Sequence, residues 1–176
     1  MTWYHWPIAF LFLALTACIS TPEGIEPVSG FEQERYLGTW YEVARIENRF
    51  ERGLSNVTAS YSVKENGDIR VLNRGYKTAK DKWETAEGKA KFVGAPETAH
   101  LKVSFFGPIF ASYIVFDLDE DYQYSFVTGN DRSYLWLLSR TPEVSPELKE
   151  KFLTRINALD FDTNNLIWVE HDDVGQ

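Results

Sequence analysis

From Gly38 onward, apolar and polar residues alternate with a period of two. Val57, Ala59, Tyr61 and Val63 interleave with Asn56, Thr58, Ser60 and Ser62, as in a strand buried on one face. Asn66-Gly67 follows, a dipeptide whose two positions tolerate the positive φ of a tight hairpin. Ile69 to Tyr76 reads as the return strand, and Lys82 to Val93, with Trp83 and Phe92, as the next. Leu101, Val103 and Phe105 alternate again before Gly107-Pro108 breaks the chain. Ser112 to Leu118, Tyr122 to Thr128 and Tyr134 to Ser139 make three more strands, separated by Asp119-Glu120-Asp121 and Gly129-Asn130-Asp131. With the strand that starts at Thr39, the pattern predicts eight. Short connections without intervening helices point to an antiparallel meander, closed into a barrel or folded as a sandwich. A barrel of about eight strands is wide enough to hold one small ligand.

The period then changes. Ser145 suits an N-cap and Pro146 the first helical position. Leu148, Phe152 and Ile156, with Leu153 and Leu159, form an apolar stripe at helical spacing, so this helix packs on the outside of the sheet. Leu166 to Val169 reads as a short final strand.

The N-terminus is of a different kind. Residues 1–18 carry no Asp, Glu, Lys or Arg, and Ile8 to Leu15 is continuously apolar. That run is too short to span a bilayer, which takes about 20 apolar residues, but it suits the apolar core of a secretion signal. Leu15-Thr16-Ala17-Cys18 follows at once and resembles the lipobox of bacterial lipoproteins. The resemblance implies removal of residues 1–17 and acylation of Cys18. Residue 19 is Ile rather than the Asp that retains such lipoproteins at the inner membrane, which by analogy implies the outer membrane, facing the periplasm. Residues 18–30 carry Pro22, Gly24, Pro27 and Gly30 and read as a flexible tether. The folded domain is expected over 31–176.

Composition narrows the chemistry. The chain has 176 residues and a net charge of −8, an acidic balance that argues against nucleic acid. Aromatic residues make up 15%, enough for a large core or an apolar pocket. Cys18 is the only cysteine, so no intramolecular disulfide or thiolate metal site is available. His100 and His171 are far apart and without ligand spacing, and no metal or cofactor is expected. The chain has no G-x-S-x-G and no phosphate loop, so no catalytic residue is assigned.

Three local features coincide in the domain. Gly38-Thr39-Trp40-Tyr41 opens the first strand, Asp117 to Tyr122 lies between the sixth and seventh, and Arg140 ends the eighth. This set resembles the three short conserved regions of the lipocalin family. The stretches 50–54, 102–108 and 134–136 resemble its bacterial lipoprotein members. The resemblance implies an all-β fold: an eight-stranded antiparallel up-and-down barrel, with one helix outside and a short final strand. It implies that Gly38, Trp40 and Arg140 are fold residues, with Trp40 plugging the closed end and Arg140 lying across the indole. It also implies a carrier of fatty acids or lysophospholipids, with homodimerisation as a possibility. An enzyme built on the same scaffold, or a carrier of another apolar ligand such as a tetrapyrrole, are the competing readings.

Inward-facing positions must line any pocket. If Trp40 points inward, alternation sends Glu42, Ala44 and Ile46 with it. Glu42 then needs a partner or a raised pKa. Tyr134 and Trp136 share a face with Leu138 and Arg140 and are placed inside. On the sixth strand Tyr113 is chosen for the cavity, since a phenol can donate to a head group while its ring lines the wall. Arg74 and Lys102 are candidates to meet an anionic head group at the mouth.

Overall fold

A computed structural model of the chain describes residues 19–172. Cys18, the apolar segment before it and residues 173–176 lie outside the described residues. The alternating segments form strands β1 (Gly38–Ile46), β2 (Leu54–Val63), β3 (Ile69–Lys77), β4 (Lys82–Phe92), β5 (His100–Ser104), β6 (Ala111–Leu118), β7 (Tyr124–Thr128) and β8 (Leu135–Ser139). Each is antiparallel to the next, and β1 closes the ring by pairing with both β2 and β8. A one-turn helix α1 (Gln33–Tyr36) precedes β1. Helix α2 (Pro146–Ala158) and strand β9 (Leu166–Trp168) follow β8.

The strand alternation sorts the apolar residues into two cores. Trp40, Tyr61, Ile69, Val71, Leu101, Val115 and Leu138 fill the barrel interior. Ile114, Phe116, Phe126, Leu135 and Leu137 face outward and are covered by Phe152 and Ile156 of α2. Ser145 caps that helix by accepting from the Leu148 N–H, as its position before Pro146 predicts. β9 pairs with the upper half of β1, from Ala44 to Ile46. The Asn56 N–H donates to the Glu170 carbonyl. The C-terminal segment therefore fills the place between β1 and β2 where these two strands part.

Two expectations are corrected here. A β-bulge interrupts β1 between Glu42 and Ala44. A bulge inserts an extra residue and shifts the alternation, so Ala44 and Ile46 join the outer core instead of following Trp40 inward. Arg45 takes the inner position. The second correction concerns residues 19–30, expected as a flexible tether. Pro22 and Ile25 are buried, and Ile25 packs in the outer core. The Val28 N–H donates to the Val115 carbonyl, and the Val28 carbonyl accepts from Ala99. This segment runs down the barrel wall, held by backbone pairing that its Pro and Gly content conceals.

Gly88 faces the interior opposite Val71. A Cβ there would sit 2.7 Å from the Ser104 carbonyl and 2.9 Å from the Phe105 ring. Gly88→Ala is therefore expected to destabilise the barrel by about 1–3 kcal/mol, as overpacking does. Urea denaturation of the variant checks this.

Candidate functional site

The interior is built in three layers. At the closed end, Gly38 adopts φ +92°, a conformation that favours glycine, and so lets the chain turn from α1 into β1. Trp40 is fully buried, and its indole N–H donates to the Tyr36 carbonyl at 2.8 Å. The Arg140 guanidinium lies 3.8 Å from the indole centroid. It donates to the carbonyls of Thr39 at 2.9 Å, Arg35 at 2.7 Å, Leu37 at 3.0 Å and Tyr122 at 3.3 Å. One side chain thus ties α1, β1 and the β6–β7 turn together and satisfies carbonyls that would otherwise be orphaned.

The middle layer is phenolic. The Tyr113 hydroxyl lies 2.8 Å from that of Tyr36 and 2.9 Å from that of Tyr61, and Tyr36 also meets Ser125 Oγ at 2.9 Å. Burial raises the Tyr36 pKa to about 12 and pushes Tyr61 and Tyr113 well above the usual phenol range. All three are neutral and can donate or accept. Beside them is a space of about 20 Å³ lined by Phe31, Leu37, Ile69, Leu101 and the three tyrosines, room for roughly one water. The interior around it is closely packed.

The upper layer is charged. Arg45 Nη1 donates to Glu42 Oε1 at 2.7 Å, and both side chains are almost wholly buried. Arg45 Nη2 also donates to the carbonyls of Glu51 and Leu54, at 2.9 and 3.2 Å. This fixes the β1–β2 loop, 47–53, across the mouth. Glu51 accepts from the Trp136 indole N–H at 3.0 Å and from Asn48 Nδ2 at 2.5 Å. Desolvation first, and then the Glu51 carboxylate, push the Glu42 pKa well above its ordinary value, against the pull of Arg45.

That shift has a consequence for stability. The folded chain keeps a proton on Glu42 where the unfolded chain releases it. Stability is therefore undiminished below the ordinary carboxyl value and falls as pH rises from there to the folded pKa. The loss is about 1.4 kcal/mol for each pH unit that Glu42 stays protonated past the unfolded value. Glu42→Gln removes this slope, so urea denaturation of both proteins between about pH 4 and 8 should show the difference narrowing at the acid end.

The expected site residues are placed as follows. Tyr113 faces the interior, since Ile114 and Phe116 turn to α2. Trp136 packs against the inner core, and Tyr134 stacks on it at 6.0 Å from the loop just before β8. Glu42 is inside, paired with Arg45. Arg74 and Lys102 are not at the mouth. Alternation on β3 turns Arg74 outward, 3.5 Å from the Trp83 ring centroid. It borders an open outer groove with Thr58 and His171. Lys102 is turned out between inward Leu101 and Val103, with Nζ 5.3 Å from the Phe110 ring. Arg45, Glu51, Tyr36 and Tyr61 belong to the interior without having been singled out. Only Arg45 carries a warning in the sequence: a lone charge inside Val43-Ala44-Arg45-Ile46.

The lipocalin-like domain family model matches residues 31–171. The chain is 54% identical over 157 residues to the outer membrane lipoprotein Blc of Vibrio cholerae, covering 89% of this chain and 92% of that one. Against the protein of the same name from Escherichia coli K12 the identity is 48%, covering 92% and 91%. Among solved structures, insecticyanin from the tobacco hornworm superposes with a TM-score of 0.68 at 17% identity, covering 88% of both chains, a likeness of fold alone. On the family match, the identity to these relatives and the closed barrel with Trp40 and Arg140 at its base, the chain belongs to the lipocalin family.

Proposed function

We propose that this chain is an outer-membrane lipoprotein, anchored through acylated Cys18 and facing the periplasm. In this reading residues 1–17 are its cleaved signal peptide. Its barrel stores or carries single-chain lipids, fatty acids or lysophospholipids, for maintenance of the envelope. The observation that carries the reading is the inner wall. Apolar side chains and neutral phenols line one closed barrel, beneath a mouth that a polar cluster holds shut. An acyl chain suits the lower layers, and its head group suits the charged and aromatic rim at Arg45, Glu51, Trp136 and Tyr134. The relatives named above bear the name of outer membrane lipoprotein. The role is binding and delivery, with no chemical step.

Native mass spectrometry of delipidated protein, titrated with lysophosphatidylethanolamine and with a C16–C18 fatty acid, tests the function. One bound lipid per barrel at micromolar ligand is expected, and an empty barrel throughout rejects the reading. Cys18→Ser should move the protein from the membrane to the soluble periplasmic fraction. Unchanged fractionation would reject the anchor.

A further inference from the structure

The meander places the loops 47–53, 78–81, 105–110 and 129–134 at the open end, and the loops 64–68, 93–99 and 119–123 at the closed end. Among the described residues, the three most exposed large apolar side chains all stand on the open rim. Phe50 is 59% exposed, Phe106 73% and Ile109 76%. They stand on two loops of the same rim, and exposed apolar side chains collected at one end of a barrel mark a surface that meets something apolar.

Charge is distributed to match. Arg49, Arg52, Lys77, Lys80 and Lys82 lie on or beside the rim. Arg49 sits 4.7 Å from the Phe50 ring centroid, and Lys89 and Lys102 flank Phe110. Acids share the rim: Glu84 pairs with Lys80 and Lys82, and the 159–165 loop, joined to Glu47 and Arg132, brings Asp160 and Asp162; others are engaged locally. Glu51 is held by Trp136 and Asn48, Asp81 by Tyr76 and Asp131 by Ser133. The closed end instead carries Glu65, Asp68, Glu97, Asp119, Glu120 and Asp121. A chain of net charge −8 is repelled by an anionic surface as a whole, and its open end, where cations are mixed among the acids, is repelled less than its closed end.

The start of the described chain gives the third, independent observation. The Ser20 carbonyl accepts from Ser112 Oγ at 3.1 Å, at the first turn of β6 beside the 105–110 loop. Arg132, in the 129–134 loop, donates to the Glu23 carbonyl at 2.5 Å. The chain therefore enters the fold at the open rim. Cys18 is two residues before Ser20, a reach of about 7 Å at most. A lipid on Cys18 must enter its leaflet beside the rim, and the fixed segment 20–30 leaves little slack to turn the barrel over.

We infer that the open rim is a membrane-docking surface, with Phe50, Phe106 and Ile109 seated at the headgroup–acyl boundary of the leaflet that holds the Cys18 lipid. The inference rests on the anchor proposed above. Aromatic and aliphatic tips suit that boundary, and long basic side chains can cover apolar surface while reaching phosphate. The mouth of the barrel then opens onto lipid, so an amphiphile passes between leaflet and interior without crossing water.

The test uses the mature acylated protein, in which Cys18 is consumed and an introduced cysteine is the single free thiol. Phe106→Cys, Ile109→Cys and, at the closed end, Val93→Cys are each labelled with an environment-sensitive fluorophore. Each is reconstituted into vesicles of phosphatidylethanolamine and phosphatidylglycerol. Both rim labels should shift to the blue and be quenched several-fold more by lipids carrying a nitroxide near the head group than the Val93 label. Phe106→Asp/Ile109→Asp should slow lysophospholipid transfer from vesicles while leaving affinity for the same lipid in detergent unchanged. Rim labels as water-exposed as the closed-end label, in protein that sediments with the vesicles, would overturn the inference. So would rim labels shielded without nitroxide quenching, which would place a second copy of the chain there. Protein that fails to sediment at all overturns the anchor and the docking together, whereas bound protein with an empty barrel overturns only the carrier function.

Discussion

Arg45→Met is expected to destabilise the barrel by about 1.5–3 kcal/mol, the cost of removing a buried guanidinium that hydrogen-bonds the Glu42 carboxyl and two backbone carbonyls. Arg45 is fully buried and is the donor to Glu42, to the Glu51 carbonyl and to the Leu54 carbonyl. Its loss takes a donor from the desolvated Glu42 carboxyl and from two carbonyls, of which the Glu51 carbonyl keeps the Leu54 N–H. The deficit should grow only once pH passes the raised folded pKa of Glu42, where the wild-type carboxylate has its cation and the variant's has none. Replacing both members is a different matter, since an apolar pair of similar volume can be as stable as the buried polar pair it replaces. Glu42→Met/Arg45→Met should therefore recover most of the loss. Denaturant unfolding of the two single variants and the double variant measures the coupling. Additive effects would show that the pair is not a unit. Hydrogen exchange should also show the 47–53 loop opening in Arg45→Met, because Arg45 is what fastens it over the mouth.

Trp40→Ala carries the second large effect, about 3–5 kcal/mol, from lost burial and the cavity left behind. The indole has no exposed surface. It packs 4.7 Å from the Tyr36 ring and 3.8 Å from Arg140, so its removal loosens both α1 and the guanidinium that ties the closed end. Trp40→Phe keeps most of the packing but drops the hydrogen bond to the Tyr36 carbonyl, and should cost about 1–2 kcal/mol. Thermal and denaturant unfolding should rank the variants in that order. Equal stability of Trp40→Ala and wild type would mean the closed end is not plugged as described.

The barrel was legible because its strands are half-buried. Alternation such as that from Asn56 to Val63 is direct evidence of a two-faced strand, and Asn66-Gly67 and Gly107-Pro108 mark where strands end. Tyr113 was chosen for its phenol rather than its phase, and it faces inward because β6 keeps its period as far as Val115. Legibility failed where the period is broken. The bulge after Glu42 shifts the rest of β1 by one residue and hides the partner that Glu42 needs three positions later. Tyr134 lies just outside β8 and reaches the rim by stacking on Trp136 rather than by strand position. Arg74 and Lys102 were assigned from charge alone, and the alternation of their own strands, with Val71 and Leu101 inward, turns them out. The segment 19–30 shows a further limit. Its backbone pairing with Ala99 and Val115 is non-local, and composition carries no trace of it.

The polar mouth also shapes the expected behaviour of the carrier. A ligand has to displace the latch of Glu51 on Trp136 and separate the phenols of Tyr36, Tyr61 and Tyr113. Binding should therefore be slow relative to diffusion and accompanied by a change in tryptophan emission from Trp136.

In the proposed function the barrel interior receives a single acyl chain. The direct measurement is photo-crosslinking with a fatty acid that carries a diazirine near its methyl end, followed by peptide mapping. The account predicts adducts on the peptides that contain Tyr36, Tyr61 or Tyr113. Adducts confined to the outer groove beside Arg74 and Trp83, or to the face of α2, would contradict it.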